Sequence, residues 1–122
     1  MGTDSLKAAK KLKDAGCFRS CISRAYYAAF SRVTSELIKA AGPGAFGRYR
    51  HPRHHQIPRS MDAHLGRQLA EPDLKWLKAV IRRLYKARLD ADYVSGAAVD
   101  EALARDMLRD AHVVFRVLGV RG

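Results

Sequence analysis

From Phe18 to Ala41 the chain places apolar residues at Ile22, Tyr26, Phe30, Val33 and Leu37, spaced 4, 4, 3 and 4 apart, and then meets Gly42-Pro43-Gly44. On a helix of 3.6 residues per turn that spacing holds one stripe toward a partner, whereas a strand would need a period of two. Gly42 can take a left-handed cap conformation and Pro43 cannot continue a helix, so the pattern predicts a helix over 18–41 with a buried seam. Strand-type alternation is nearly absent elsewhere, and the same criteria give four more helices. The first runs from Asp4 to Ala15, is capped by Asp4 or Ser5, carries Leu6, Ala9 and Leu12 on one side, and stops at Gly16. A short one spans Pro58 to Leu69. The fourth begins near Pro72 and aligns Leu74, Leu77, Ile81 and Leu84; the last, Val99 to Leu118, opens with Asp100 and Glu101 and buries Val99, Leu103, Met107, Ala111, Val114 and Leu118. Short connections between such helices imply an all-α fold, an antiparallel up-and-down bundle of four to five helices, forming a single domain over residues 1–122.

A chain of 122 residues with 48% apolar and 29% charged residues can bury a core without disulfides or a structural metal. Its 23 Lys and Arg against 12 Asp and Glu leave a net charge of +11, which favours an anionic partner such as nucleic acid or an acidic protein. No apolar run is long enough to span a bilayer, and the first residues lack the apolar centre of a signal peptide, so the expected location is cytoplasmic, with no membrane partner. Cys17 and Cys21 are then expected as free thiols.

Five local features bear on chemistry. Continuing the fourth helix's stripe beyond Leu84 reaches Arg88 and Ala91, and an arginine on an apolar seam must snorkel or meet a partner, for which Asp90 and Asp92 are candidates. The loop 48–55, RYRHPRHH, gathers Arg48, Arg50, Arg53, His51, His54 and His55 around Tyr49; it is either an electropositive RNA-binding finger with a ring to stack on a base, or a solvated loop. Cys17-x3-Cys21 with His51-x2-His54 has the ligand types of a zinc site, but helical cysteines at this spacing also serve as small buried residues, and no metal or cofactor is assigned. Arg and His pairs suited to phosphate binding and proton transfer recur at Arg50/His55, Arg59/His64 and Arg105/His112. Within SRAYYAAF, residues 23–30, Tyr26 lies on the buried seam. Tyr27, turned about 100° away, shares a stripe with Ser20, Arg24, Ser31 and Thr34 that would admit another helix or a second protomer.

SRAYYAAFSRV, the helix order and the later LYKARLDADY together resemble the HEPN family, in the branch marked by an AYYA-F helix and an R-x-x-A-D-Y motif. That resemblance implies a helical bundle, usually a homodimer with two helix-end sites facing across a cleft. Many members are metal-independent ribonucleases, often toxins of toxin–antitoxin pairs whose partner is a small nucleotidyltransferase. Their active site is an arginine followed four to six residues later by histidine. The arginine corresponds to Arg88, but Tyr93 stands five residues on, where the histidine would be. A tyrosine hydroxyl, with an ordinary pKa of about 10, is a poor proton acceptor at neutral pH. Catalysis at Arg88 and Tyr93 would therefore need His54, His55 or His112 from elsewhere in the bundle or from a dimer mate. Otherwise the cleft would bind RNA, a nucleotide or the transferase without cleavage, or the domain would serve as a protein-interaction module.

Overall fold

A computed structural model describes residues 2–42, 57–66, 69–94 and 99–119. They form α1 (Gly2–Asp14), α2 (Phe18–Ala41), α3 (Ile57–Leu65), α4 (Glu71–Tyr93) and α5 (Glu101–Gly119). There is no strand among the described residues, so the expected all-α class holds. The RYRHPRHH loop, with Arg48, Tyr49, Arg50, Arg53, His54 and His55, lies outside the described residues.

α2 is the central element and packs against each of the other four helices. Its composition permits this. Cys21, Ile22, Ala25, Tyr26, Ala28, Ala29, Val33 and Leu37 are all buried, so the helix is covered on more than the single stripe its large residues mark. The alanines let neighbouring helices approach on those extra faces at little cost in side-chain entropy. α4 contributes Leu77, Val80, Ile81 and Leu84, α5 contributes Ala111, Val114 and Leu118, and α3 adds Ile57, Met61 and Leu65. α2 and α4 run antiparallel: Arg19 meets the backbone of Asp90 and Ala91, whereas Tyr26, further along α2, meets Tyr85, earlier on α4.

The helix ends show where local chemistry took hold. α1 is already helical at Gly2, so neither Asp4 nor Ser5 caps it. It closes in a Schellman motif, with the Cys17 N–H donating to Leu12 O at 2.8 Å and the Gly16 N–H to Lys13 O at 3.0 Å, and Gly16 supplies the φ of +83° that this reversal requires. Gly42 ends α2, but at φ 89° and ψ 167°, an extended positive-φ conformation open essentially to glycine alone, instead of a left-handed turn. α3 stops at Leu65, short of the expected Leu69. The chain leaves the helix at Gly66, although Leu69 is still buried and its N–H still donates to Leu65 O. Asp100 lies before α5, not in its first turn, and its Oδ1 accepts from the Leu103 N–H at 2.9 Å, the bond of an N-cap.

Cys21 is fully buried and burial pushes its thiol pKa up, while Cys17 is exposed. Two of the lysines on α4 are engaged internally: Lys78 pairs with Asp62 of α3 at 2.8 Å and Lys86 with Asp90 at 3.3 Å. Asp110, 8% exposed on α5, accepts from Arg83 Nε at 2.9 Å and lies 2.8 Å from its Nη2 in an ion pair, which ties α5 to α4. Among the described residues, no helix is long and apolar enough to cross a membrane.

Ile81 has no exposed surface. Ile81→Ala is expected to lower unfolding free energy by about 2–5 kcal/mol in urea denaturation, through lost burial and the cavity left behind. Exposed Lys75→Ala should change it by less than about 0.5 kcal/mol.

Candidate functional site

The end of the bundle where α2 begins and α4 finishes collects the polar residues that matter. Arg19 sits in the first turn of α2, the wrong end of that helix's own dipole for a cation, and it serves another helix. Its Nη1 donates to the carbonyl oxygens of Asp90 at 3.2 Å, which also accepts from the Val94 N–H, Ala91 at 2.8 Å and Val94 at 3.2 Å, supplying a donor to acceptors at the end of α4. This clamp holds the turn that carries Arg88, Asp92 and Tyr93.

Arg88 does lie at the edge of the α4 seam, with its side chain 17% exposed. Its stem is buried and its guanidinium reaches Tyr27 across on α2. Nη2 donates to the Tyr27 hydroxyl at 2.7 Å and to the Tyr93 hydroxyl at 3.5 Å. The guanidinium carbon lies 5.2 Å from the centre of the Tyr27 ring and 5.4 Å from that of Tyr93, within cation–π range. Nε lies 3.0 Å from Asp92 Oδ2, so the expected pairing with Asp92 is present, while Asp90 goes to Lys86 instead. That contact is an ion pair without an aligned hydrogen bond: Nε is buried and its N–H donates to nothing. Burial works against the Arg88 charge, but Tyr27, then Tyr93 and Asp92, outweigh it and hold the pKa above the ordinary arginine value. Arg88 is therefore a permanent cation whose donors the described residues do not saturate.

The tyrosine doublet divides as its geometry requires. Tyr26 is 2% exposed, with its ring against Tyr27, Phe30 and Tyr85. Burial, reinforced by Tyr85, raises its phenol pKa far above the usual value, so it stays neutral. Tyr27 is 46% exposed, and its outward direction leads to Arg88. Tyr93 is 71% exposed at the last position of α4. Each of the two hydroxyls that accepts from Arg88 keeps its own proton to donate. Cation, phenolic donors and open ring faces together suit a phosphate flanked by unstacked bases.

No histidine contacts Arg88 among the described residues. His112 is exposed on α5 and His64 lies on α3, each on the same helix as its sequence partner, Arg105 or Arg59. Nor do the described residues include a cluster of three or more His, Cys, Asp or Glu placed to hold a metal ion. Sequence reasoning did not single out Arg19 or Ser23. Arg19 carried a signal, a cation at a helix start, whereas Ser23 acquires its importance only from the Asp92 carboxylate that α4 brings to it, at 3.4 Å.

An all-helical bundle with an arginine and paired tyrosines at one end is the class of domain that this geometry defines. The HEPN domain model matches residues 1–120, and the chain belongs to that family. No curated protein matches it.

Arg19→Ala should lower stability by about 1–2 kcal/mol, the worth of charge-assisted bonds at a partly exposed helix end. Amide hydrogen exchange should show the loss concentrated in the last turn of α4.

Proposed function

We propose that this HEPN domain binds single-stranded RNA at the Arg88 end of the bundle, holding a phosphate on the guanidinium and stacking neighbouring bases on Tyr27 and Tyr93. The observation that carries this reading is the placing of Arg88: a permanent cation, its side chain 17% exposed, fixed by the Tyr27 hydroxyl at 2.7 Å between the exposed rings of Tyr27 and Tyr93. A guanidinium held beside exposed aromatic rings fits an anionic ligand flanked by bases. The net charge of +11 would draw a polyanion to the domain as a whole.

The reading is one of binding before cleavage. Transfer of the 2′-hydroxyl proton by the Arg–His route needs a base, and Tyr93 occupies the expected position of that histidine. His54 and His55 lie outside the described residues. One of them, or a histidine from the second protomer of a homodimer, would have to complete a ribonuclease site. The dimer, the nucleotidyltransferase partner and the toxin role follow from the family resemblance, and each would act at this same bundle end, in the cytoplasm where RNA is available. The basic loop with Arg48, Tyr49, Arg50 and Arg53 would extend the RNA path in the same reading.

Fluorescence anisotropy with a single-stranded RNA oligonucleotide tests the proposal. Binding should weaken linearly in log–log terms as salt rises. Arg88→Ala should reduce affinity about tenfold and flatten the salt slope by about 1, while Lys7→Ala, on an exposed face of α1, should change little. Absent or salt-insensitive binding would refute it.

A further inference from the structure

α4 and α5 each pack chiefly on α2 and only lightly on one another. Between them runs a groove of about 370 Å³ whose lining includes none of Tyr27, Arg88, Asp92 and Tyr93. Its size is within the range of small-ligand sites, about 300–1,000 Å³. Residues at i, i+3, i+4 and i+7 of each helix face it, as a single helical face requires: Arg83, Lys86, Ala87 and Asp90 on α4, and Leu103, Asp106, Met107 and Asp110 on α5. The floor is apolar, since Ala87 and Met107 are 7% and 3% exposed and Leu103 packs against the core.

The charges of this lining are arranged by wall. α4 offers two cations and one carboxylate; α5 offers two carboxylates and one cation, Arg109. They sum to zero in a chain of net charge +11, so the groove gives a polyanion no net attraction. Each carboxylate gives one oxygen to a neighbouring cation: Asp90 Oδ2 to Lys86 at 3.3 Å, Asp106 Oδ1 to Arg109 at 3.4 Å and Asp110 Oδ2 to Arg83 at 2.8 Å. The second oxygen of each takes no hydrogen bond or ion pair among the described residues. Lys86 engages one acceptor with three N–H bonds to give, so two remain.

An anion in this groove would face the carboxylates of α5, and a cation would face Arg83 and Lys86. Only a molecule that bears both charges on an apolar body is attracted by both walls and by the floor. We infer that the α4–α5 groove binds such a zwitterion, a free α-amino acid with an apolar side chain. Its ammonium donates to Asp106 Oδ2 and Asp110 Oδ1, its carboxylate accepts from Lys86 and Arg83, and its side chain lies on Ala87, Leu103 and Met107. Met107 adapts to the shape of that side chain, as an unbranched thioether can. The inference does not depend on RNA binding at Arg88.

Two-dimensional NMR of the 15N-labelled full chain tests it with L-leucine as the probe. Leucine should shift the amides of both walls, residues 83–90 and 103–110, saturably and with a Kd of about 1 mM or below. N-acetyl-L-leucine, which lacks the ammonium, L-leucinamide, which lacks the carboxylate, and glycine, which lacks the apolar body, should each bind at least about tenfold more weakly. Asp106→Asn should weaken leucine binding about tenfold, and Lys75→Gln, outside the groove, should leave it unchanged. Circular dichroism confirms that both variants retain their helices. Absence of a saturable shift at about ten times the expected Kd, or shifts confined to other elements, would overturn the inference. So would equal binding of leucinamide or the N-acetyl compound. Shifts of the same amides with protein concentration alone would assign the groove to a second copy of the chain and overturn it as well.

Discussion

The antiparallel contact of α2 with α4 is the constraint on which the rest of the molecule depends. Neither helix could supply the site alone. Arg88 comes from α4 and the hydroxyl that fixes it comes from α2; Asp92 comes from α4 and the serine that donates to it comes from α2. The contact is set by apolar packing, with Ile22, Val33 and Leu37 on one side and Leu77, Ile81 and Leu84 on the other, all without exposed surface. It is locked at its end by Arg19 on the last carbonyls of α4. Burial of apolar surface is non-directional, so packing decides that the helices meet, and the polar contacts at the end decide their register.

That end of the bundle places a partly buried cation against two hydroxyls and a carboxylate. Surface ion pairs elsewhere, such as Lys86 with Asp90 or Arg109 with Asp106, join exposed, well-solvated groups and contribute little to stability. Arg88 differs in being held on several sides, by the Tyr27 hydroxyl, the Tyr27 and Tyr93 rings and the Asp92 carboxylate, while its side chain stays 17% exposed. An enclosed Nε without an aligned acceptor occurs at Arg32 as well, so that feature alone does not mark a site.

Much of this was legible in the chain. The 4-4-3-4 spacing along α2 gave its limits, Phe18–Ala41, as the structure has them, because a long apolar period closed by Gly-Pro is hard to satisfy otherwise. The arginine continuing the α4 stripe was recognisable as a residue in need of partners, and the tyrosine doublet as one inward and one outward ring. Shorter-range boundaries were less legible. α3 ended at Leu65 although Leu69 kept the apolar spacing, because periodicity reports burial, and buried residues outside helices obey it too. The several covered faces of α2 were hidden as well, since alanine marks neither an apolar stripe nor a polar one.

The amino-acid sequence by itself determined the helical class, the order of the elements, the inward-facing residues and the identity of Arg88 as the exceptional member of its stripe. These follow from period and side-chain chemistry within single helices. Tertiary structure alone decided that Tyr27 would be the acceptor for Arg88, that Arg19 would finish α4, and that Ser23 would donate to Asp92. Those pairings join residues 61, 72 and 69 positions apart, and only the antiparallel packing of α2 on α4 brings them within hydrogen-bond reach.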